Sequence, residues 1–295
     1  MNGFFNIMKP PGMTSAAVVA VMRRLTGEKR VGHAGTLDPE AAGVLPIMTG
    51  KAARLFDYLV DKEKEYEAVC AFGSRTDTQD ETGTVIETGE NYPDLRTVQE
   101  KAQELVGEII QRPSMYSAIK VGGKPLYARA RKGETVEVPE RTVMIHGITV
   151  AGEEPDHAVR MTVRCGKGTY IRTLCEDLGK KCGCPAHMRS LVRTRSGAFT
   201  IDTAMTPDEA RELAAKGELA GRMMKPDAPL GHIRRVDMPE KYRKMVMNGA
   251  KIPAAGMPED VPLHEIVRVY LDGEFWGIME REDRLFVWKV QIAPF

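Results

Sequence analysis

Residues 159–165 constrain the fold of this 295-residue chain more than any other stretch. Val159, Met161, Val163 and Cys165 alternate with Arg160, Thr162 and Arg164. A strand here therefore has one apolar face and one cationic face, and belongs in a sheet with one side packed and one side wet. It runs straight into Gly166-Lys167-Gly168-Thr169-Tyr170-Ile171-Arg172, followed by a helical segment from Thr173. The period of two recurs at Tyr66, Ala68, Cys70 and Phe72, and residues 143–150 are rich in β-formers. Helical stripes lie between these strands. Val18, Val21, Met22 and Leu25 follow Thr14-Ser15 and end near Gly27, while Leu95, Val98, Ala102 and Leu105 precede Gly107, placed to terminate them. Thr206-Pro207-Asp208-Glu209 is a capping box with proline at the first helical position. Strands and helices mixed in this way predict an α+β protein.

The texture changes near residue 221. Lys225-Pro226-Asp227-Ala228-Pro229-Leu230-Gly231 reads as a linker, and beyond it come a short helix around 241–247 and β-prone runs at 266–271, 274–279 and 285–291. A mostly β unit of about sixty residues has a marginal core unless it docks on the rest. Residues 113–133, with Pro113, Gly122-Gly123 and Pro125, read as a long mobile insertion of the kind that carries function.

Net charge is +1, so the overall balance points to no partner. Its distribution does. Residues 160–195 hold nine Lys/Arg against Glu176 and Asp177, and residues 112–141 hold seven against Glu134, Glu137 and Glu140. Tyr116, Tyr127 and Tyr170 stand among these cations, and aromatic faces stack on unpaired bases, so RNA is the favoured partner over plain solvated charge. Five cysteines without paired spacing do not form a secreted disulfide framework, and Cys182-Gly-Cys184 lacks a second pair for zinc. No targeting segment opens the chain and no apolar run reaches membrane-spanning length, which predicts a cytoplasmic protein.

One carboxylate is set apart by its surroundings. Asp38 lies in Gly35-Thr36-Leu37-Asp38-Pro39, with Val44, Leu45 and Ile47 close by. Pro39 holds Asp38 out of the helical region, and Gly32, Gly35 and Gly43 permit positive φ or close approach. An aspartate presented rigidly in an apolar loop suits a nucleophile or general base. The plainer reading is an Asp-Pro turn capping a helix that starts near Pro39.

Further segments join this one in order: Lys9-Pro10-Pro11-Gly12-Met13-Thr14-Ser15, Val31-Gly32-His33-Ala34-Gly35-Thr36-Leu37-Asp38-Pro39, Lys64-Glu65-Tyr66, and Arg75-Thr76-Asp77-Thr78-Gln79-Asp80. Pro113-Ser114-Met115-Tyr116-Ser117-Ala118-Ile119-Lys120, Gly168-Thr169-Tyr170-Ile171-Arg172 and Met188-Arg189-Ser190-Leu191-Val192-Arg193-Thr194 complete it. This ordered set closely resembles the TruB family, the bacterial tRNA pseudouridine synthases that modify uridine 55 in the T loop. The resemblance is close from residue 3 to about 235 and looser in the tail.

The resemblance implies a pseudouridine-synthase fold, with a mixed, largely antiparallel central sheet flanked by helices. Residues 1–230 would form the catalytic domain, 113–133 its RNA-clamping insertion, and 231–295 a small PUA-like RNA-binding domain. It implies Asp38 as covalent nucleophile, Arg172 as its ion-pair partner, Asp80 as the residue that steadies Arg172, and Tyr66 as the ring that stacks on a flipped uracil. Leu191 would wall the pocket, Tyr170 would contact the nucleotide, and Lys9 would shape the floor. His33 would fill the space the flipped base leaves. Lys120, Lys124, Tyr127 and Arg129 would clamp the T arm, mostly through phosphates. Taken singly, Tyr66 and Leu191 read as core, His33 as a loop residue and Arg172 as a phosphate contact.

The implied reaction needs no redox step or energy source, so no cofactor or metal is expected, and the chain shows no Walker loop or dinucleotide fingerprint. Attack at C1′, addition at C6 and assisted elimination at C2′ each use one carboxylate and are each compatible with the sequence. A monomer that acts on tRNA without a protein partner is expected. The alternatives are an RNA-binding or RNA-folding module with little catalysis, and a relative that works with guide RNA.

Overall fold

The computed structural model describes residues 1–60, 62–117, 119–134, 136–255, 257 and 261–292. Strand β1 (Gly3–Lys9) lies antiparallel to β3 (Ala42–Thr49), and the short β2 (Val31–His33) adds to β3. Helix α1 (Ser15–Thr26) connects β1 to β2. The Thr14 hydroxyl accepts from the Ala17 amide at its start, and left-handed Gly27 closes it. Helix α2 (Phe56–Val60) leads into β4 (Lys64–Phe72), and β5 (Ser74–Thr76) pairs with β6 (Val85–Thr88) around the 77–84 loop. Next come α3 (Leu95–Gln103), β7 (Gly107–Gln111), the hairpin β8 (Lys120–Val121) and β9 (Lys124–Pro125), and α4 (Leu126–Ala130). Then β10 (Arg141–Glu154), β11 (Ala158–Cys165), α5 (Ile171–Cys182), β12 (Ala186–Ser196), β13 (Phe199–Thr200) and α6 (Pro207–Ala215) follow.

These strands make a mixed sheet in the order β1-β3-β12-β4-β11-β10-β7. The β3–β12 pairing is parallel and the other pairings along this path are antiparallel. The alternation in β11 works as its residues require: Val159, Met161, Val163 and Cys165 are buried while Arg160 and Arg164 are exposed. Tyr66, Ala68, Cys70 and Phe72 face the same core, where they meet Val98 of α3 and Leu174 and Leu178 of α5.

Strands β1 and β3 are apolar on both faces, and both faces are covered. Phe5, Ile7, Leu45 and Ile47 join the main core. Phe4, Val44 and Met48 on the reverse side join Leu230, Ile233, Phe275 and Ile278. The last two belong to a second sheet, formed by β14 (Arg234–Asp237), β15 (Ile252–Pro253), β16 (Ile266–Leu271), β17 (Glu274–Glu282) and β18 (Leu285–Gln291) in the order β14-β16-β17-β18-β15. Helix α7 (Arg243–Met247) packs beside it.

Three expectations are corrected. Asp38 caps no helix: the chain turns back through an Ala41 amide to Asp38 carbonyl bond and enters β3 directly. Gly107 does not end α3, which stops at Gln103; its φ of 109° instead opens β7. The 225–231 stretch is no loose linker, because Pro229 and Leu230 are buried. Within the 113–133 insertion lie a hairpin and a helical turn, a detail the sequence reading left open, with Ala118 outside the described residues.

Candidate active site

The loop bearing Asp38 has no regular structure, yet the carbonyls of residues 35–39 are all engaged. The buried Arg193 guanidinium donates to Gly35 O at 3.1 Å and Thr36 O at 3.4 Å, and its Nε donates to Val44 O at 2.7 Å. Ser15 Oγ donates to Leu37 O at 3.0 Å and accepts from the Leu37 amide at 2.9 Å. Asp38 O takes the Ala41 amide, and Pro39 O takes Lys9 Nζ at 2.8 Å. Buried carbonyls without partners are expensive, so these side chains set the loop as firmly as a ladder would. Lys9 is fully buried and also donates to Pro10 O and Met13 O. Burial lowers its ammonium to about 8, partly opposed by Glu40 and Asp38.

Arg172, in the first turn of α5, approaches Asp38 from the other side. Its Nε stands 2.9 Å from Asp38 Oδ2, with the arginine side chain 5% exposed and the aspartate 39%. That Nε makes no aligned hydrogen bond, so charge holds this contact. The two terminal nitrogens are aimed by backbone: Nη1 donates to Thr78 O at 2.9 Å and Nη2 to Tyr116 O at 3.1 Å. Asp80 Oδ2 lies 3.6 Å from Nη1. Asp80 is itself fixed by Thr78 Oγ1, Thr82 Oγ1 and the Thr82 amide, all on Oδ1.

A cavity of about 230 Å³ opens beside this pair, lined by Asp38, Tyr66, Tyr170, Arg172 and Leu191, with Lys64, Lys167 and Arg193 on its walls. Four cations and one carboxylate around an apolar floor suit a flat, neutral ring attached to a phosphodiester backbone. Tyr66 is 7% exposed, and burial pushes its phenol above the ordinary value, against a smaller downward pull from Arg193. Tyr170 is raised for the same first reason, and the Arg141 guanidinium lies over its ring at 5.7 Å.

Comparison with known proteins decides the family. A model described as the N-terminal domain of TruB family pseudouridylate synthases matches residues 23–171, and one for the tRNA pseudouridylate synthase B C-terminal domain matches 172–236. A tRNA pseudouridine synthase B of Alkaliphilus oremlandii is 42% identical over 96% of this chain and 95% of its own. That of Bacillus licheniformis is 43% identical over 92% and 90%. The chain belongs to the TruB family of pseudouridylate synthases. Its fold is shared by a chain of an H/ACA ribonucleoprotein bound to a substrate RNA containing 2′-deoxyuridine, with a TM-score of 0.75 over 99% of this chain and 85% of that one, at 24% identity. The architecture is thus the pseudouridine-synthase fold, with a small, mostly β C-terminal unit of PUA-like type.

Within this TruB-family chain, the site residues expected from sequence fall into three places. Asp38, Tyr66, Tyr170, Arg172 and Leu191 meet in the cavity, and Asp80 with Asp38 and Leu191 lines a second hollow alongside. Lys9 and His33 do not line the cavity. Lys9 supports the loop from beneath, and His33 sits on β2 with a buried Nδ1 that has no partner. Burial first, then Arg193, lowers the His33 pKa. Lys120, Lys124 and Tyr127 are exposed on the insertion. Arg129 is not presented with them: it is half-buried and donates to Val121 O at 3.0 Å, bracing the hairpin.

Sequence reasoning missed Arg193 and Ser15. Arg193 pairs across the ladder with Tyr66, and Leu191 with Ala68. Strand period two puts Leu191 and Arg193 on one face, so once Leu191 is assigned to the pocket Arg193 follows. Ser15 carried no such signal, because it serves as the first residue of α1 as well as the brace for Leu37.

Proposed function

We propose that this chain isomerises uridine 55 in the T loop of tRNA to pseudouridine, with Asp38 as covalent nucleophile. The observation that carries the reading is the Arg172 Nε to Asp38 Oδ2 contact of 2.9 Å at the mouth of a cavity walled by Tyr66, Tyr170 and Leu191, in a TruB-family chain. The relatives' name, tRNA pseudouridine synthase B, supplies the substrate class.

A stacked base cannot reach Asp38, so the uridine flips out and its ring enters the cavity. Tyr66 offers the stacking face and Leu191 the opposite apolar wall. The N1–C1′ bond breaks with the aid of the Asp38 carboxylate, the base rotates, and C5 bonds to C1′. C5 loses its proton and N1 gains one, so the reaction balances without oxidant or cofactor. Arg172 keeps the nucleophile pointed, with its Nε 2.9 Å from the carboxylate. The exposed Lys120, Lys124 and Tyr127 hold the T arm, largely through phosphates, and His33 fills the place of the flipped base.

Residues 1–230 act as the catalytic domain and 231–295 as an RNA-binding domain that engages tRNA beyond the T arm. The protein works as a monomer in the cytoplasm, without cofactor or protein partner. Purified protein with a 5-tritiated T-arm stem-loop tests this. Wild type releases tritium from one uridine, and Asp38→Asn binds the RNA but does not turn over. Near-wild-type turnover by Asp38→Asn would refute the nucleophile. Dependence on an added guide RNA would instead place the chain with the guide-directed enzymes.

A further inference from the structure

We propose that Gln79 is the positioning residue for the Arg172–Asp38 pair, and that it makes the geometry of that pair depend on how the 113–133 segment is seated. The inference rests on the reading of Asp38 and Arg172 as the reacting pair.

Gln79 occupies the 77–84 loop with φ of 66°, a left-handed conformation that a side chain with a Cβ adopts under strain. Its amide is buried, at 6% exposure, and makes three bonds to two other parts of the chain. Nε2 donates to Glu176 Oε2 at 3.0 Å, while Oε1 accepts from Thr173 Oγ1 at 2.8 Å and from the Ser114 amide at 3.2 Å. Only this orientation works, since a carboxylate can only accept and an amide N–H can only donate. The backbone is tied as well, with Gln79 N donating to Thr76 O and its carbonyl accepting from Met188 N.

What Gln79 holds is the set of anchors for Arg172. Thr78 immediately before it supplies the carbonyl for Nη1, and Asp80 immediately after it supplies the carboxylate near the same nitrogen. Thr173 and Glu176 are one and four residues beyond Arg172 on α5, so the loop is clamped to the helix that carries the arginine. Ser114 is the second residue of the insertion whose Tyr116 carbonyl takes Nη2. Loop, helix and insertion therefore converge on one amide, and each also touches the guanidinium. Packing alone would be met by leucine. A group that donates at one end and accepts at the other is required only to keep three elements in register.

The test uses full-length protein and the tritiated T-arm stem-loop under single-turnover conditions, with RNA affinity measured separately. Gln79→Leu keeps the volume and removes the bonds. Its single-turnover rate should fall roughly 10- to 100-fold, the effect of small misplacement at a reacting centre, with affinity changed less than about threefold. Gln79→Glu should lose activity because two carboxylates then face each other. Gln79→Glu with Glu176→Gln reverses donor and acceptor, leaves Thr173 and Ser114 an acceptor, and should recover to within about threefold of wild type. A merely structural role would lower RNA affinity along with the rate, so the split between the two identifies positioning. Wild-type rates in Gln79→Leu, or a double variant as slow as Gln79→Glu alone, overturn the proposal. Asp38→Asn in the same assay separates the two levels: if it turns over, the reacting pair is misassigned and this proposal falls with it. If it is inactive while Gln79→Leu is unimpaired, only the positioning role falls.

Discussion

Asp38 is held mainly by residues that react with nothing. Arg193 donates to three carbonyls and faces the Tyr66 phenol, so it links the Asp38 loop to the Tyr66 ring. Arg193→Lys keeps the charge but lacks the planar fork that reaches several carbonyls at once. The single-turnover rate should drop roughly 10- to 100-fold with RNA affinity nearly unchanged, and an unaltered rate would show that the loop holds itself. Lys9 gives a pH signature. Its folded pKa of about 8 lies below the usual 10.5, so between those values the unfolded chain holds more protons than the folded one. Stability from this group therefore rises with pH across that window, and is flat below it. Urea unfolding at pH 7 and pH 10 should show wild type gaining on Lys9→Met, and an equal gap at both values contradicts the burial argument. That Asp38, Tyr66, Arg172 and Leu191 belong together was legible in the ordered motifs, and they do line one cavity. Most of the support was not, because Ser15 and Arg193 act on backbone carbonyls, and a carbonyl has no letter in the sequence.

Elements were more legible than their junctions. The alternation of β11 and the Thr14 and Gly27 caps of α1 follow from local chemistry, and so they appear where the residues place them. The parallel contact of β3 with β12 follows from nothing local. It pairs residues 150 positions apart, Gly43 with Arg193, beside the Asp38 loop. At Gly43 φ is 113°, and a Cβ there would stand 2.3 Å from Arg193 O. Both facts forbid a side chain, which explains one glycine that the sequence marks only as a freedom. Gly43→Ala should destabilise the protein by about 3 kcal/mol or more, read as a lower midpoint in denaturant with an unchanged slope. A shift below 0.5 kcal/mol would mean the strands can part at little expense. The misread helix cap at Pro39 belongs to the same scale: an Asp-Pro turn looks alike before a helix and before a strand, and tertiary pairing decides which follows.

At the scale of the molecule, charge and docking separate binding from catalysis. Lys120 and Lys124 project from the insertion hairpin, away from the bonds that fix Arg172. Neutralising both to glutamine should flatten the dependence of log affinity on log salt by about 2 while the bound RNA reacts at the wild-type rate. The C-terminal sheet is expected to melt with the catalytic part, because they share a core. Ile278 is fully buried among Phe4, Val44 and Met48, residues of the same strands whose other face supports the Asp38 loop. Tyr270 adds a polar clasp: its hydroxyl donates to Asp227 at 2.7 Å, and the Arg235 guanidinium lies over its ring at 3.9 Å. Ile278→Ala removes buried methyl and methylene groups and should lower stability by about 2–5 kcal/mol. For a chain of this size that lowers Tm by about 2–4 °C per kcal/mol. Sheet content and tritium-release activity should be lost together in one transition. Two transitions, with activity surviving the first, would show that the small sheet is a separable attachment.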